Sequence, residues 1–207
     1  MKFTELPCKD YAALLASNKP VPGGGGAAAL VGALASALGE MVVNLTVGKK
    51  KYAAAEKELL ALRERCASAR EALLRLSEQD AEDFAPLAAA YALPADAPGR
   101  ADILESATLR ACDAPMKMLR ACAEVISYAE RLAEIGSTLV LSDAACAAAL
   151  AGGAMKSASL NVFINTKALK DRAQAEKLEK EADALLETWL PRADKVYTAI
   201  VKSFREG

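Results

Sequence analysis

Alanine supplies 47 of the 207 residues, and that bias narrows the choice of fold more than any motif does. Alanine has the highest helix propensity of the common residues, whereas a β-sandwich needs β-branched and aromatic side chains. Apolar residues reach 53% of the chain but aromatics only 5%, a core of small and aliphatic groups suited to closely packed helices. No stretch alternates apolar and polar residues over the length of a strand. The expected class is therefore all-α, an up-and-down bundle of long helices. It should form one domain over residues 1–207, because no composition shift or long linker divides the chain.

Six helical segments are expected. The first, Cys8 to Ala16, stops before Pro20-Val21-Pro22. A second, apolar helix follows Gly23-Gly24-Gly25-Gly26 and ends at Gly48. Lys49 opens a third segment reaching about Ala92, in which Leu59, Leu62, Cys66, Ala69, Leu73 and Leu76 recur at the three- and four-residue steps of one buried face. Pro94 to Gly99 reads as a surface loop. The fourth segment, from about Ala101 to Glu134, contains Pro115, where a kink or break is expected. Ser142-Asp143 reads as the N-cap of a fifth helix ending near Leu169, and the sixth runs from Arg172 to Phe204 with Pro191 inside it. The second helix is apolar on nearly all sides, more than one bundle of this size covers. A homodimer burying that helix near its interface is the expected arrangement.

Composition also removes whole classes of function. There is no histidine, which excludes Ser-His-Asp and Cys-His catalysis, His-ligated zinc and His proton shuttling. Twenty-six basic residues face 27 acidic ones, so no net field draws the chain to nucleic acid or an anionic membrane. Residues Met1 to Glu5 do not open a signal peptide. Ala27 to Val47 is long enough to span a bilayer, but its Ala and Gly content, Glu40 and Asn44 favour a buried helix of a protein that does not enter membranes. The five cysteines, Cys8, Cys66, Cys112, Cys122 and Cys146, are odd in number and dispersed. They fit reduced thiols filling space in a cytoplasmic protein.

Four segments carry polar groups with chemical potential. Gly23 to Gly26 precede a helix N-terminus, where main-chain N–H groups can converge on an anion; the same glycines also suit a plain connector. Asn44 and Thr46 close an apolar helix, and Lys49, Lys50 and Lys51 are either a solvated corner or a docking point for an anionic tail. Asp80 shares a helix face with Asp83 and Phe84. A carboxylate beside apolar surface is either paired or raised in pKa, and both states suit acid–base work. Finally, Ser157, Asn161 and Asn165 draw a polar stripe at four-residue steps, fit either to cradle a polar heterocycle or to bond neighbouring backbone.

Taken in order, Pro22-Gly23-Gly24-Gly25, Asn44 to Tyr52, Asp80-Ala81-Glu82-Asp83-Phe84, Ser142-Asp143 and Asn161 to Asn165 resemble the cyclodeaminase/cyclohydrolase family, which includes the C-terminal domain of formimidoyltransferase-cyclodeaminase. The likeness runs from about residue 4 to residue 205, as a free-standing version of that domain. It implies a dimerising helical bundle acting on reduced folates with no metal or other cofactor. One branch closes 5-formimidoyl-tetrahydrofolate to 5,10-methenyl-tetrahydrofolate and ammonia, the activity expected here. Another hydrolyses 5,10-methenyl-tetrahydrofolate to 10-formyl-tetrahydrofolate, and a folate-binding protein without turnover is a third reading. By this resemblance Asp80 is the catalytic acid/base. For such a substrate Asn161 and Asn165 are expected to read the pterin or to hold the helix that does, and the glycines with Lys49 to Lys51 to receive the carboxylate end. Asn44, Thr46, Asp83 and Asp143 complete the expected substrate contacts. The family commonly has Ser where this chain has Gly26, and Gly-Asn where it has Gly136-Ser137.

Overall fold

The computed structural model describes residues 2–206. Seven α-helices follow one another among the described residues: α1 (Cys8–Leu15), α2 (Gly24–Asn44), α3 (Glu56–Tyr91), α4 (Arg100–Ala111), α5 (Asp113–Ile135), α6 (Leu141–Thr166) and α7 (Arg172–Glu206). Short 3-10 turns lie at Phe3–Glu5, Lys50–Ala55 and Thr138–Val140, and the described residues contain no strand. Helices α2 and α6 lie side by side at the centre, with α3 and α5 packed around α2 and with α5 and α7 around α6. The all-α expectation holds.

The alanine content explains how two central helices can be so closely surrounded. On α2 the buried positions include Ala28, Ala29, Gly32, Ala33, Ala35, Ser36 and Gly39, and on α6 they include Ala144, Ala147, Ala148, Ala151 and Ala158. These short side chains let neighbouring helices approach until Leu59, Leu73, Leu119, Ile126, Leu132 and Met155 fill the space between them. Each such fully buried large side chain contributes roughly 1.5–3 kcal/mol relative to exposure. Ser36, the polar exception, donates its hydroxyl to the Cys66 carbonyl at 2.8 Å. The α3 face read from spacing is the buried one, from Leu59 through Leu76. Cys66, Cys112 and Cys122 are core thiols, with burial pushing Cys66 and Cys122 up to about 12. Cys8 and Cys146 are exposed, contrary to the expectation that all five fill space.

Several boundaries differ from those expected, each for a local reason. The glycines are not a loop: Gly23 is the N-cap of α2 and Gly24 to Gly26 form its first turn. Residues 50–55 are 3-10 before α3 begins, because Gly48 turns the chain at φ +82°, a region that glycine enters without strain. The fourth segment does break, but at Cys112; Pro115 sits in the first turn of α5, where its missing N–H costs nothing. Ser142 and Asp143 lie inside the first turn of α6 rather than capping it, since a 3-10 turn leads in from Thr138. Pro86 and Pro191 leave α3 and α7 unbroken. The carbonyls they orphan belong to Glu82 and Glu187, both at exposed positions where water can bond them.

By length and composition α2 and the stretch Thr138–Thr166 are apolar enough to cross a membrane, and about half of each is buried inside the bundle. Their exposed large apolar side chains are Leu34 and Met41 on α2, Leu45 just past its end, and Leu150, Leu160 and Ile164 on α6. Leu34 is 54% exposed, Leu160 68% and Ile164 64%.

Candidate active site

Because α2 and α6 run antiparallel, the start of α2 meets the end of α6. A cleft of about 220 Å³ opens there, lined by Gly23, Gly24 and Gly25, by Asp80 and Phe84 from α3, by Ala111, and by Asn161 and Asn165 from α6. Residues from three of the four polar segments thus share one space. Asn161 donates its amide to the Ser157 carbonyl at 2.9 Å, one turn back on its own helix. Asn165 donates to the Ala111 carbonyl at 3.0 Å, tying α6 to α4. Ser157 donates to Gly153 at 2.9 Å and lies on the exposed face.

Asp80 is the chemical centre of the cleft. It projects from the buried face of α3 onto the first turn of α2, so closely that a Cβ on Gly25 would stand 2.6 Å from its Cγ. Burial raises its pKa from 3.8 to about 6; the backbone N–H of Gly26 opposes that rise and the nearby charge of Asp83 adds to it. A carboxyl titrating near 6 is equipped to both accept and return a proton near neutral pH. The α2 N-terminus adds partial positive charge on the ionised form. Behind this turn the Tyr11 hydroxyl is buried with no hydrogen-bond partner among the described residues. The neighbouring Ser77 hydroxyl donates to the Gly26 carbonyl at 3.1 Å.

The remaining candidates sit elsewhere. Asn44, Thr46, Lys49 to Lys51 and Asp143 gather at the opposite end of the α2/α6 pair. Since α2 has 21 residues, that end is about 30 Å from the glycine turn at about 1.5 Å per residue. A single copy of the chain therefore does not bring the lysines and the glycines together. Thr46 is fully buried and engaged by the protein, donating to the Val42 carbonyl at 2.7 Å and accepting the Ser137 N–H at 2.9 Å. Lys49 Nζ reaches Ser137 Oγ at 3.4 Å, and Lys51 lies 5.4 Å from the Tyr52 ring centre. Tyr52 was not singled out as a site residue from sequence, yet its hydrogen bonds with the Thr138 hydroxyl and from the Thr138 N–H lower its pKa to about 7. Asp83 is not among the residues that line the cleft, and Arg110 and Gln79 engage its two oxygens. Among the described residues no group of Cys, Asp and Glu is placed to hold a metal ion.

Comparison with known proteins bears on this geometry. The family model for formiminotransferase-cyclodeaminase matches residues 7–184. The methenyltetrahydrofolate cyclohydrolase of Methylorubrum extorquens is 41% identical over 190 residues, 90% of this chain and 91% of that protein. The formimidoyltransferase-cyclodeaminase of Rattus norvegicus is 29% identical over 83% of this chain, which spans only 32% of that longer protein. The crystal structure of formiminotetrahydrofolate cyclodeaminase from Thermotoga maritima superimposes with a TM-score of 0.85 at 32% identity, covering 95% of this chain and 98% of the other. With the same helical framework and a match over most of its length, this chain belongs to the formiminotransferase-cyclodeaminase family.

Proposed function

We propose that this protein hydrolyses 5,10-methenyl-tetrahydrofolate to 10-formyl-tetrahydrofolate, with Asp80 moving the protons. The observation that carries the reading is the single carboxyl with a pKa near 6, set among the glycine turn and two asparagines in one cleft. The high identity to a cyclohydrolase over nearly the full length of both proteins favours this branch. The cleft continues into a groove of about 560 Å³ along α2 and α6, lined by Ala27, Ala28, Val31 and Leu160 and sharing Gly24, Asn161 and Ile164. A polar corner beside an apolar groove suits a ligand with a polar bicycle and an aromatic arm.

In this mechanism ionised Asp80 faces the cationic N5–C–N10 bridge and lowers the energy of charge placed there. It takes a proton from water as the oxygen attacks the bridging carbon. It then returns that proton to N5 as the C–N5 bond breaks. The formyl group stays on N10, and the remaining hydroxyl proton leaves to solvent as the carbonyl forms. Asn161 presents to the ring edge an amide oxygen that has no hydrogen-bond partner among the described residues, and Asn165 holds the α6 wall. No metal or redox cofactor takes part.

The similarity to the Thermotoga maritima cyclodeaminase supports the second reading, ring closure of 5-formimidoyl-tetrahydrofolate with loss of ammonia. There Asp80 would act first as an acid on the departing nitrogen. Measuring loss of methenyl absorbance beside ammonia release from the formimidoyl substrate separates the two. Catalysed hydrolysis that rises with pH through about 6 and then levels is the expected result. Ammonia release without hydrolysis assigns the other branch. Tight binding with no product from either substrate leaves a folate-binding protein.

We further propose that the chain works as a cytoplasmic homodimer. Support comes from the exposed apolar face of α2 and α6, which ends at the cleft on one side and at Asn44 and Leu45 on the other. A two-fold axis across that face with the α2 helices antiparallel sets Asn44 to Lys51 of one copy beside the glycine turn of the next.

A further inference from the structure

Asp83 and Arg110 form a pair that the proton-transfer scheme leaves unused. Asp83 lies three residues from Asp80 on the same side of α3 and is only 5% exposed. Its Oδ1 accepts from Arg110 Nε at 2.8 Å and its Oδ2 from Gln79 Nε2 at 3.1 Å. Gln79 also donates to Asp113 at 2.9 Å, and Lys117 donates to Asp113 at 2.6 Å. Arg110 is the one cation paired with Asp83 among the described residues. The next residue, Ala111, lines the cleft and accepts the Asn165 amide at 3.0 Å. Two consecutive residues at the end of α4 thus fasten α3 on one side and α6 on the other. Helix α4 needs these links. Its apolar contacts are a small cluster of Leu87, Ala107 and Ala111 with Phe84 and Leu104, separate from the main core.

We propose that Arg110 is a positioning residue: through Asp83 it balances the charge behind Asp80, and through Ala111 it holds Asn165 and the α6 wall across from that acid. The inference rests on the reading of Asp80 as the proton carrier. The groups around Asp80 show why a balancing cation matters. Tyr11 faces it from α1, the Gly26 N–H from α2, and Asp83 from α3, with Glu78 beside Tyr11 on the same side. Glu78 is bonded by the Phe3 and Thr4 N–H groups and the Thr4 hydroxyl. Helix α6 contributes the amides of Asn161 and Asn165. None of these is a cation. Arg110 is held by Asp83, so its charge acts on Asp80 through the pair.

Removing the two partners should therefore move Asp80 in opposite directions. Arg110→Gln leaves the Asp83 charge uncompensated and should raise the Asp80 midpoint, whereas Asp83→Asn removes a like charge and should lower it. Each step should be about one pH unit or less. The midpoint is read without turnover from the carboxyl carbon resonance of labelled Asp80, assigned by its loss in Asp80→Asn. It is read again from the pH profile of kcat/KM. Arg110→Lys should return the midpoint toward the parent value because it keeps the cation. Shifts of the same sign in Arg110→Gln and Asp83→Asn, or none in either, overturn the proposal and leave the pair a structural tie. Turnover surviving in Asp80→Asn overturns the catalytic reading instead, and the resonance titration still decides the role of the pair.

Discussion

Replacing Asp80 by asparagine should stabilise the protein while removing its activity, and pH should govern the size of the gain. The native carboxyl binds its proton more tightly than the unfolded chain does, near 6 against an ordinary 3.8. Between those values the folded state holds the extra proton, so stability falls as pH rises through the window and the full cost is present above about pH 7. About two pH units at about 1.4 kcal/mol each make that cost roughly 3 kcal/mol. Asparagine carries no such penalty and keeps an oxygen for the Gly26 N–H, whose favourable effect on the ionised acid is already contained in the value near 6. The net gain for Asp80→Asn is then about 3 kcal/mol at pH 8. For a chain of this length that is roughly 6–12 °C in Tm. Parallel melts of both proteins from pH 4 to pH 8 should show the gap opening with pH and nearly closed at pH 4. A variant that melts below the parent at pH 8, or a gap that ignores pH, would refute the claim that burial holds this carboxyl near 6. Turnover should drop by roughly a hundred- to ten-thousand-fold.

Other outcomes follow from the same geometry. Gly25→Ala drives a methyl group into the Asp80 carboxyl and should cut kcat/KM by at least about a hundredfold with helix content intact. Gly24→Ala meets only the Asn161 amide at 3.8 Å and should retain the fold and measurable turnover, so equal losses in the two would argue against the close approach of Asp80. Gly26→Ser places its Cβ 3.5 Å from the Tyr11 hydroxyl and 3.4 Å from Ser77 Oγ, and its own hydroxyl can bond Tyr11. A stabilisation of about 1 kcal/mol is expected in denaturant titrations, and a loss would mean that Tyr11 is already satisfied. Leu34→Glu, at an exposed position of α2, should leave the secondary structure unchanged and shift the sedimenting species from dimer to monomer; an unaltered oligomer places the interface elsewhere.

Much of the site was legible before any coordinates because the relevant side chains break a rule of their surroundings. Asp80 stands on a leucine-lined face, and Asn161 and Asn165 recur on a helix otherwise built of small apolar residues. Each is conspicuous because a polar group on a packed face needs a reason. Asp83 obeys the same sequence pattern and still proved different, since its partners, Arg110 and Gln79, lie 27 residues ahead and four residues behind. Tyr11 gave no signal at all, and Tyr52 stood out only as the end of the segment that begins at Asn44. Their unusual states arise from what surrounds them after folding.

Local sequence determined what depends on neighbours along the chain: helices from alanine and leucine, a buried stripe on α3 from its spacing, a turn at Gly48, and the absence of imidazole chemistry. Tertiary packing decided what depends on groups distant in sequence. It drew the glycines into the first turn of α2 and set Asp80 against them. The distance of the lysine cluster from that turn, by contrast, follows from the length of α2 alone. The reason is that periodicity fixes the direction in which a side chain leaves its helix, whereas dielectric surroundings and charge partners exist only once the helices meet.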